Sequence, residues 1–124
     1  MAVDIEILPD RDLVYVTMAG QFGLRDALRM FDSYVSHPDF RPGMNILVDL
    51  REAYLVPTPD DLQNMATYVR EHLSMRGTDY KAALVAESGI KRATAEIYQS
   101  LASSMPMDVQ VFNDLDAAYD WLAT

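Results

Sequence analysis

The sequence predicts an α/β fold in which helices cover both faces of a five-stranded mixed sheet, with residues 1–124 forming one domain. Three observations support this fold class. Stretches near the two ends of the chain alternate apolar with polar residues, as strands with one solvent-facing side do. The strand-like stretches between them are apolar on both sides, which is typical of inner strands covered by helices. Stretches with apolar residues at helical spacing separate the strands.

The composition limits the classes of function. The chain has 124 residues, which is enough for one hydrophobic core. The absence of cysteine excludes disulfides, thiolate metal sites and a cysteine nucleophile. A formal net charge of −9 argues against a nucleic-acid partner and an anionic membrane surface. We see no secretory signal and no apolar stretch long enough to span a membrane, so we expect a cytoplasmic protein.

The first strand is predicted over residues 3–7 and the second over Leu13–Met18, with Gly20 ending the second. Turn-forming residues at positions 9–12 connect these strands, so the pair should form an antiparallel hairpin. A helix is then predicted from about Leu24 to Ser36, because its apolar residues form a single stripe.

The third strand, Met44–Leu50, is expected to lie inside the sheet, with Leu47 fully buried at its centre. An apolar loop, Ala53–Pro57, should follow this strand. The second helix is expected to begin with Thr58 as its N-cap and to end at Gly77.

The fourth strand is predicted over residues 79–86, and Ser88 should cap a third helix. A half-exposed fifth strand is predicted at residues 107–111, and Asn113 is expected to cap a closing helix. The order of elements is therefore ββαβαβαβα, with four parallel strands, one antiparallel edge strand, and the first and fifth strands at the edges. The residues expected to face inward from the third helix are Ile90, Ala93, Ile97, Leu101 and Ala102.

Several short strings carry a resemblance to a known fold group. They are Ile46–Arg51, Pro57-Thr58, Lys81–Ala86, Ile97-Tyr98 and Val111–Asp114 with Trp121 and Leu122. In these strings and in the order of its elements the whole chain resembles the SpoIIAA-like group of STAS domains. More narrowly, it resembles small stand-alone bacterial STAS/SEC14-like proteins.

The resemblance implies a non-catalytic regulatory or protein-interaction module with no cofactor. STAS domains of the anti-sigma-factor-antagonist type bind a partner kinase and are switched by phosphorylation of a serine. That serine begins the helix after the third strand, and Thr58 is the only hydroxyl at that place here. Acids at positions 60 and 61 make it a poor phosphate site. The alternative that the resemblance implies is a SEC14/CRAL-TRIO-like carrier of a small apolar ligand or lipid.

Polar residues follow the inner strands, at the end where α/β sheets place their sites. Asp49, Arg51, Glu52 and Glu87 either form a small polar site or pair with one another. The two histidines have no hydroxyl nucleophile or metal ligand at a suitable spacing, so we predict no catalytic or metal site.

The apolar loop over residues 53–57 is either a lid on the core or a contact surface. We predict a contact surface for a protein partner, with a homodimer expected first and a small apolar ligand as the alternative. An apolar pocket of about 300 Å³ or more would favour the ligand. The candidate contact residues are Arg51, Tyr54, Leu55, Val56 and Thr58.

Overall fold

The computed structural model describes residues 2–55, 57–87 and 89–124, and it describes only the backbone of Ala2 and Leu55. The predicted order of strands and helices is confirmed, with one additional short helix. The strands are β1 (Ala2–Leu8), β2 (Leu13–Phe22), β3 (Asn45–Leu55), β4 (Tyr80–Val85) and β5 (Met107–Phe112). The α-helices are α1 (Leu24–Val35), α2 (Pro59–Glu71), α3 (Leu73–Arg76), α4 (Gly89–Leu101) and α5 (Leu115–Leu122).

The sheet has the strand order β1-β2-β3-β4-β5, so the strands lie side by side in the order of the chain. β1 is antiparallel to β2, and the three other pairs are parallel, as the sequence predicts. Each parallel connection leads from one strand to its neighbour, always toward the same edge of the sheet. When all such connections are right-handed, their helices lie on one face of the sheet. Accordingly α1, α2 and α4 pack on one face, and among the described residues α5 is the helix that packs on the other.

Two hydrophobic clusters lie on the two sides of the sheet. The larger one joins α1, α2 and α4 to residues such as Val16 and Val48. The smaller one joins α5 to the other side of the inner strands, where Leu47 is fully buried as predicted. α5 begins one residue later than predicted, because Asp114 and not Asn113 caps it by accepting a hydrogen bond from the Ala117 amide at 2.8 Å.

The inward face of α4 differs from the predicted one. Ile90 is 80% exposed and Ile97 is 42% exposed, so neither isoleucine lies in the core. Ala95 and Tyr98 lie on the inward side instead. A small residue and a large ring fill the space between α4 and the sheet, and their packing overrides the isoleucine pattern. The predicted cap of this helix, Ser88, lies outside the described residues.

The predicted second helix is divided in two at His72, whose backbone is not helical. The His72 ring stacks on Tyr68, with 4.1 Å between ring centroids, and its Nδ1 lies 2.7 Å from the Tyr68 carbonyl oxygen. The short helix α3 ends at Gly77, which has φ of 88°. A Cβ atom there would lie 2.1 Å from the Gly43 nitrogen, so only glycine fits.

Arg76, in the last position of α3, is fully buried and joins three segments of the chain. Its Nε donates to the Tyr34 hydroxyl of α1, and its Nη2 donates to the Met44 carbonyl before β3, each at 2.8 Å. The guanidinium lies 3.5 Å from the centre of the Tyr80 ring at the start of β4. Among the described residues Nη1 has no hydrogen-bond partner. No local pattern in the sequence indicates an arginine in the core at this position.

Replacing Arg76 with lysine should lower the free energy of unfolding at pH 7 by about 2–4 kcal/mol, because one ammonium cannot reproduce the fork of hydrogen bonds. Burial lowers the pKa of a lysine, so the folded variant binds fewer protons than its unfolded chain. Its deficit should therefore shrink as the pH rises from about 7 toward about 10. Denaturant melts across that range measure both effects.

Arg70→Lys is the matched control, because Arg70 is exposed in the last turn of α2. It should change stability by only a few tenths of a kcal/mol. Equal melts for Arg76→Lys and Arg70→Lys would show that the three segments do not depend on the guanidinium.

Candidate functional site

β3 and β2 continue past the main sheet as a two-stranded extension. The pairing of β3 with β4 ends at Asp49, whereas the pairing of β3 with β2 runs on to Leu55. A β-bulge marks the change, since two residues of β3, Leu50 and Arg51, lie opposite the single residue Met18. We call the paired segments Ala19–Phe22 and Glu52–Leu55 the β2–β3 extension. The predicted end of β2 at Gly20 and the predicted loop from Ala53 are therefore wrong.

The extension has a buried side and an exposed side. Ala53 and Phe22 are buried on the side of α1 and α2. Gln21, Glu52 and Tyr54 alternate with them, so they lie on the opposite side of the extension, and all three are exposed. Tyr54 is 74% exposed.

This exposed side continues the sheet face on which α5 lies, but α5 does not reach it. α5 has only eight residues and runs back along β4, where Lys81 donates to the carbonyls of Trp121 and Thr124 at 3.1 and 2.9 Å. Its Tyr119 ring stacks on Tyr15 of β2, with 6.2 Å between centroids. No helix of residues 2–55, 57–87 and 89–124 covers the remainder, which we call the open face; its members are Asp4, Glu6, Thr17, Ala19, Gln21, Arg51, Glu52 and Tyr54.

An ion pair holds the β-bulge beside the open face. Arg51 donates to both carboxylate oxygens of the buried Asp49, from Nε and Nη2, at 2.9 Å each. Its backbone amide also donates to Asp49 Oδ1, at 3.1 Å. Burial raises the pKa of Asp49, but the hydrogen bonds and charge of Arg51, with the charge of Lys91, outweigh it and leave the pKa below its ordinary value.

The polar residues at the strand ends are therefore only partly brought together. Asp49 and Arg51 form a pair, which uses the Nε and Nη2 side of the guanidinium. Lys91 of α4 donates to the backbone carbonyl of Arg51. Glu52 and Glu87 are both exposed.

Thr58 begins α2 on the other face of the sheet, as the predicted N-cap. Its Oγ1 accepts from the Asp61 amide at 3.1 Å, and Asp61 Oδ2 accepts from the Thr58 amide at 3.0 Å. This reciprocal pair is a capping box, in which an aspartate takes the place usually held by glutamate. Two other predicted contact residues are Leu55 and Val56. Val56 and the Leu55 side chain lie outside the described residues.

An apolar cleft of about 110 Å³ lies between the first turns of α1 and α2 and the middle of α4. Asp61 is the charged residue in its wall. The aromatic and methionine side chains that line it are Met18, Phe22, Met30, Met65 and Tyr98.

No protein-family model and no curated protein matches this sequence. Two solved structures match it in fold. The first is an uncharacterised protein of the DUF3478 family from Shewanella loihica PV-4, with a TM-score of 0.61 and 17% identity over 98% of this chain and 92% of that chain. That protein is described as having a SpoIIAA-like fold. This chain has a SpoIIAA-like fold.

The second similar structure is the anti-sigma factor antagonist SpoIIAA in its unphosphorylated form. It has a TM-score of 0.57 and 10% identity, over 97% of this chain and 96% of that chain. The SpoIIAA-like fold that the sequence predicts is thus confirmed. At these identities the likeness concerns the fold, so the residues described above must carry any argument about function.

Within this SpoIIAA-like fold the described residues show few features of a catalytic centre. No three His, Asp or Glu side chains of the described residues are grouped closely enough to hold a metal ion. His72 lies against Tyr68, and His37 Nδ1 accepts from the Asp39 amide at 3.1 Å. No helix of the described residues is long and apolar enough to cross a membrane.

The acid sensitivity of the fold should depend on Asp49. A carboxylate whose pKa is lowered by folding stabilises the protein above its unfolded pKa of about 3.9, and this contribution is lost as the pH falls through the folded pKa. Asp49→Asn should lower the free energy of unfolding at pH 7 by about 1–3 kcal/mol. The gap to wild type should close as the pH falls below the ordinary range of aspartate pKa values and through the lowered pKa of Asp49. Melts of the exposed Asp10→Asn variant serve as the control, and a pH-independent gap for Asp49→Asn would contradict the ion-pair account.

Thr58 should act as a helix cap. Thr58→Ala should cost about 1 kcal/mol, because it leaves an amide of the first turn without its acceptor, whereas Thr58→Ser keeps the acceptor and should cost much less. Thermal or denaturant melts distinguish the two variants. If both variants lose the same stability, the hydroxyl does not cap α2.

Proposed function

We propose that this chain is a non-catalytic protein-interaction module that works through the open face at the end of β3. The observation that carries this proposal is Tyr54, a large ring that is 74% exposed on a paired strand. Aromatic side chains are enriched where protein surfaces meet, and tyrosine is common among the residues that contribute most to binding.

The regular backbone pairing of the β2–β3 extension also supports the proposal. Because residues 52–55 pair with β2, Tyr54 is held on a formed strand and not on a loop. A contact residue that is already ordered loses less conformational entropy on binding. The fold agrees with this role, since one structurally similar protein is named as an antagonist of another protein factor.

The alternative role as a carrier of an apolar ligand has weaker support. The apolar cleft of about 110 Å³ is smaller than the roughly 300 Å³ from which ligand pockets usually start. A second depression, of about 460 Å³, lies between Arg11, Asn45 and the end of α5, and it includes charged side chains. Native mass spectrometry of the purified protein tests this alternative, because a bound lipid would add its mass to the chain.

Two expectations from the sequence remain predictions, namely a homodimer and a cytoplasmic location. Analytical ultracentrifugation tests the homodimer directly.

Tyr54→Ser should leave the free energy of unfolding within about 0.5 kcal/mol of wild type, because an exposed ring contributes little to the core. The same change should weaken association with whatever protein occupies the open face, by about 1 kcal/mol or more. Denaturant melts measure the first effect. Quantitative capture from an extract of the source cells, with wild type and variant side by side, measures the second.

Met75→Ser is the matched control, since Met75 is 49% exposed on α3 at the other end of the parallel strands. It should retain the same captured proteins as wild type. A large loss of stability in Tyr54→Ser, with unchanged capture, would mean that the ring belongs to the core and would reject the contact surface.

A further inference from the structure

The open face carries negative charge beside its exposed ring and along β1. Asp4 and Glu6 of β1 are exposed on it, and so is Glu52 of the extension. Its arginine, Arg51, is already bound by the carboxylate of Asp49. Among the described residues, Asp4, Glu6 and Glu52 belong to no ion pair. The face therefore presents free negative charge.

The exposed ring of Tyr54 suits the same kind of ligand as the carboxylates. A guanidinium or ammonium group is attracted to the face of an aromatic ring, by about 0.5–1 kcal/mol at an exposed site. Glu52, two residues before Tyr54 on the same strand, also attracts a cation to this place. Asp4 and Glu6 lie further away on β1, and their charge accelerates the encounter with a basic partner. Ring and carboxylates together favour a cationic group.

We infer that the open face binds a protein segment rich in arginine or lysine, with a basic side chain stacked on Tyr54 and others facing Asp4 and Glu52. This inference rests on the proposed function and names the chemistry of the partner. Apolar residues of such a segment would lie over Thr17 and Ala19, which are partly exposed between the carboxylates.

A second copy of this chain fits the open face less well. Each copy has a net charge of −9. A two-fold dimer joins the same patch of both subunits, so it would bring the carboxylates of both open faces together. Like charges placed opposite one another cost free energy unless cations separate them.

The test uses a capped, fluorescein-labelled peptide of twelve alternating arginine and leucine residues, with a glutamate–leucine peptide of the same length as its counterpart. Fluorescence anisotropy should show that wild type binds the arginine peptide, more weakly as salt rises from about 0.05 M to about 0.3 M. Tyr54→Ser should weaken binding about fivefold or more, which corresponds to 1 kcal/mol. Glu52→Gln should weaken it about twofold or more.

Glu71→Gln separates a local site from net charge alone, because Glu71 is exposed on α2 and the substitution removes the same charge as Glu52→Gln. It should leave the affinity within about twofold of wild type. Equal weakening by Glu71→Gln and Glu52→Gln would overturn the inference. So would failure to bind the arginine peptide, or equal binding of the glutamate peptide.

Sedimentation of the same variants distinguishes this inference from the proposed function. A wild-type dimer that Tyr54→Ser dissociates would overturn the basic partner and leave the interaction module standing. Wild-type behaviour of Tyr54→Ser with the peptide, in sedimentation and in capture from extract would overturn both.

Discussion

The architecture of the candidate site depends on the point at which β3 leaves β4. Up to Asp49 the strand lies between β2 and β4, and beyond it only β2 remains as a partner. The bulge at Leu50 and Arg51 lies where β3 separates from β4 but stays paired with β2. The Asp49–Arg51 ion pair stabilises the backbone at this bulge. Tyr54 reaches solvent on an ordered strand because this junction is held in place.

The beginning of β3 is secured by a different interaction. The buried guanidinium of Arg76 binds the carbonyl of Met44 and the hydroxyl of Tyr34 and lies against the ring of Tyr80. A buried cation with no carboxylate partner is costly, and hydrogen bonds with ring contacts offset part of that cost. β3 is thus held at its start by a cation among aromatic rings and at its bulge by an ion pair. The function we propose uses the open face, to which the segment beyond the bulge contributes Glu52 and Tyr54.

Local patterns predicted the order of strands and helices because alternation, helical spacing and turn residues act over a few positions. They failed where contacts between residues far apart in the sequence determine the end of a strand or the burial of a side chain. Gly20 looks like the end of a strand, yet it continues β2 because Ala53 pairs beside it. Ile97 looks like a core residue, but Tyr98 fills that space. Arg76 is a core residue because α1, the start of β3 and β4 surround it, and these segments are distant from it in the sequence. Tyr54 is predicted as a contact residue on a loop; it is exposed, but a paired strand presents it.

The central claim is that the β2–β3 extension is a formed part of the sheet that presents Tyr54 to solvent. Native-state hydrogen exchange measured amide by amide tests it most directly. The amides of residues 19–22 and 52–55 that donate between the two strands should exchange far more slowly than those of an unstructured peptide, because each must open before it exchanges. Exchange of the whole extension at unstructured rates, while Ile46–Asp49 stays protected, would contradict the account.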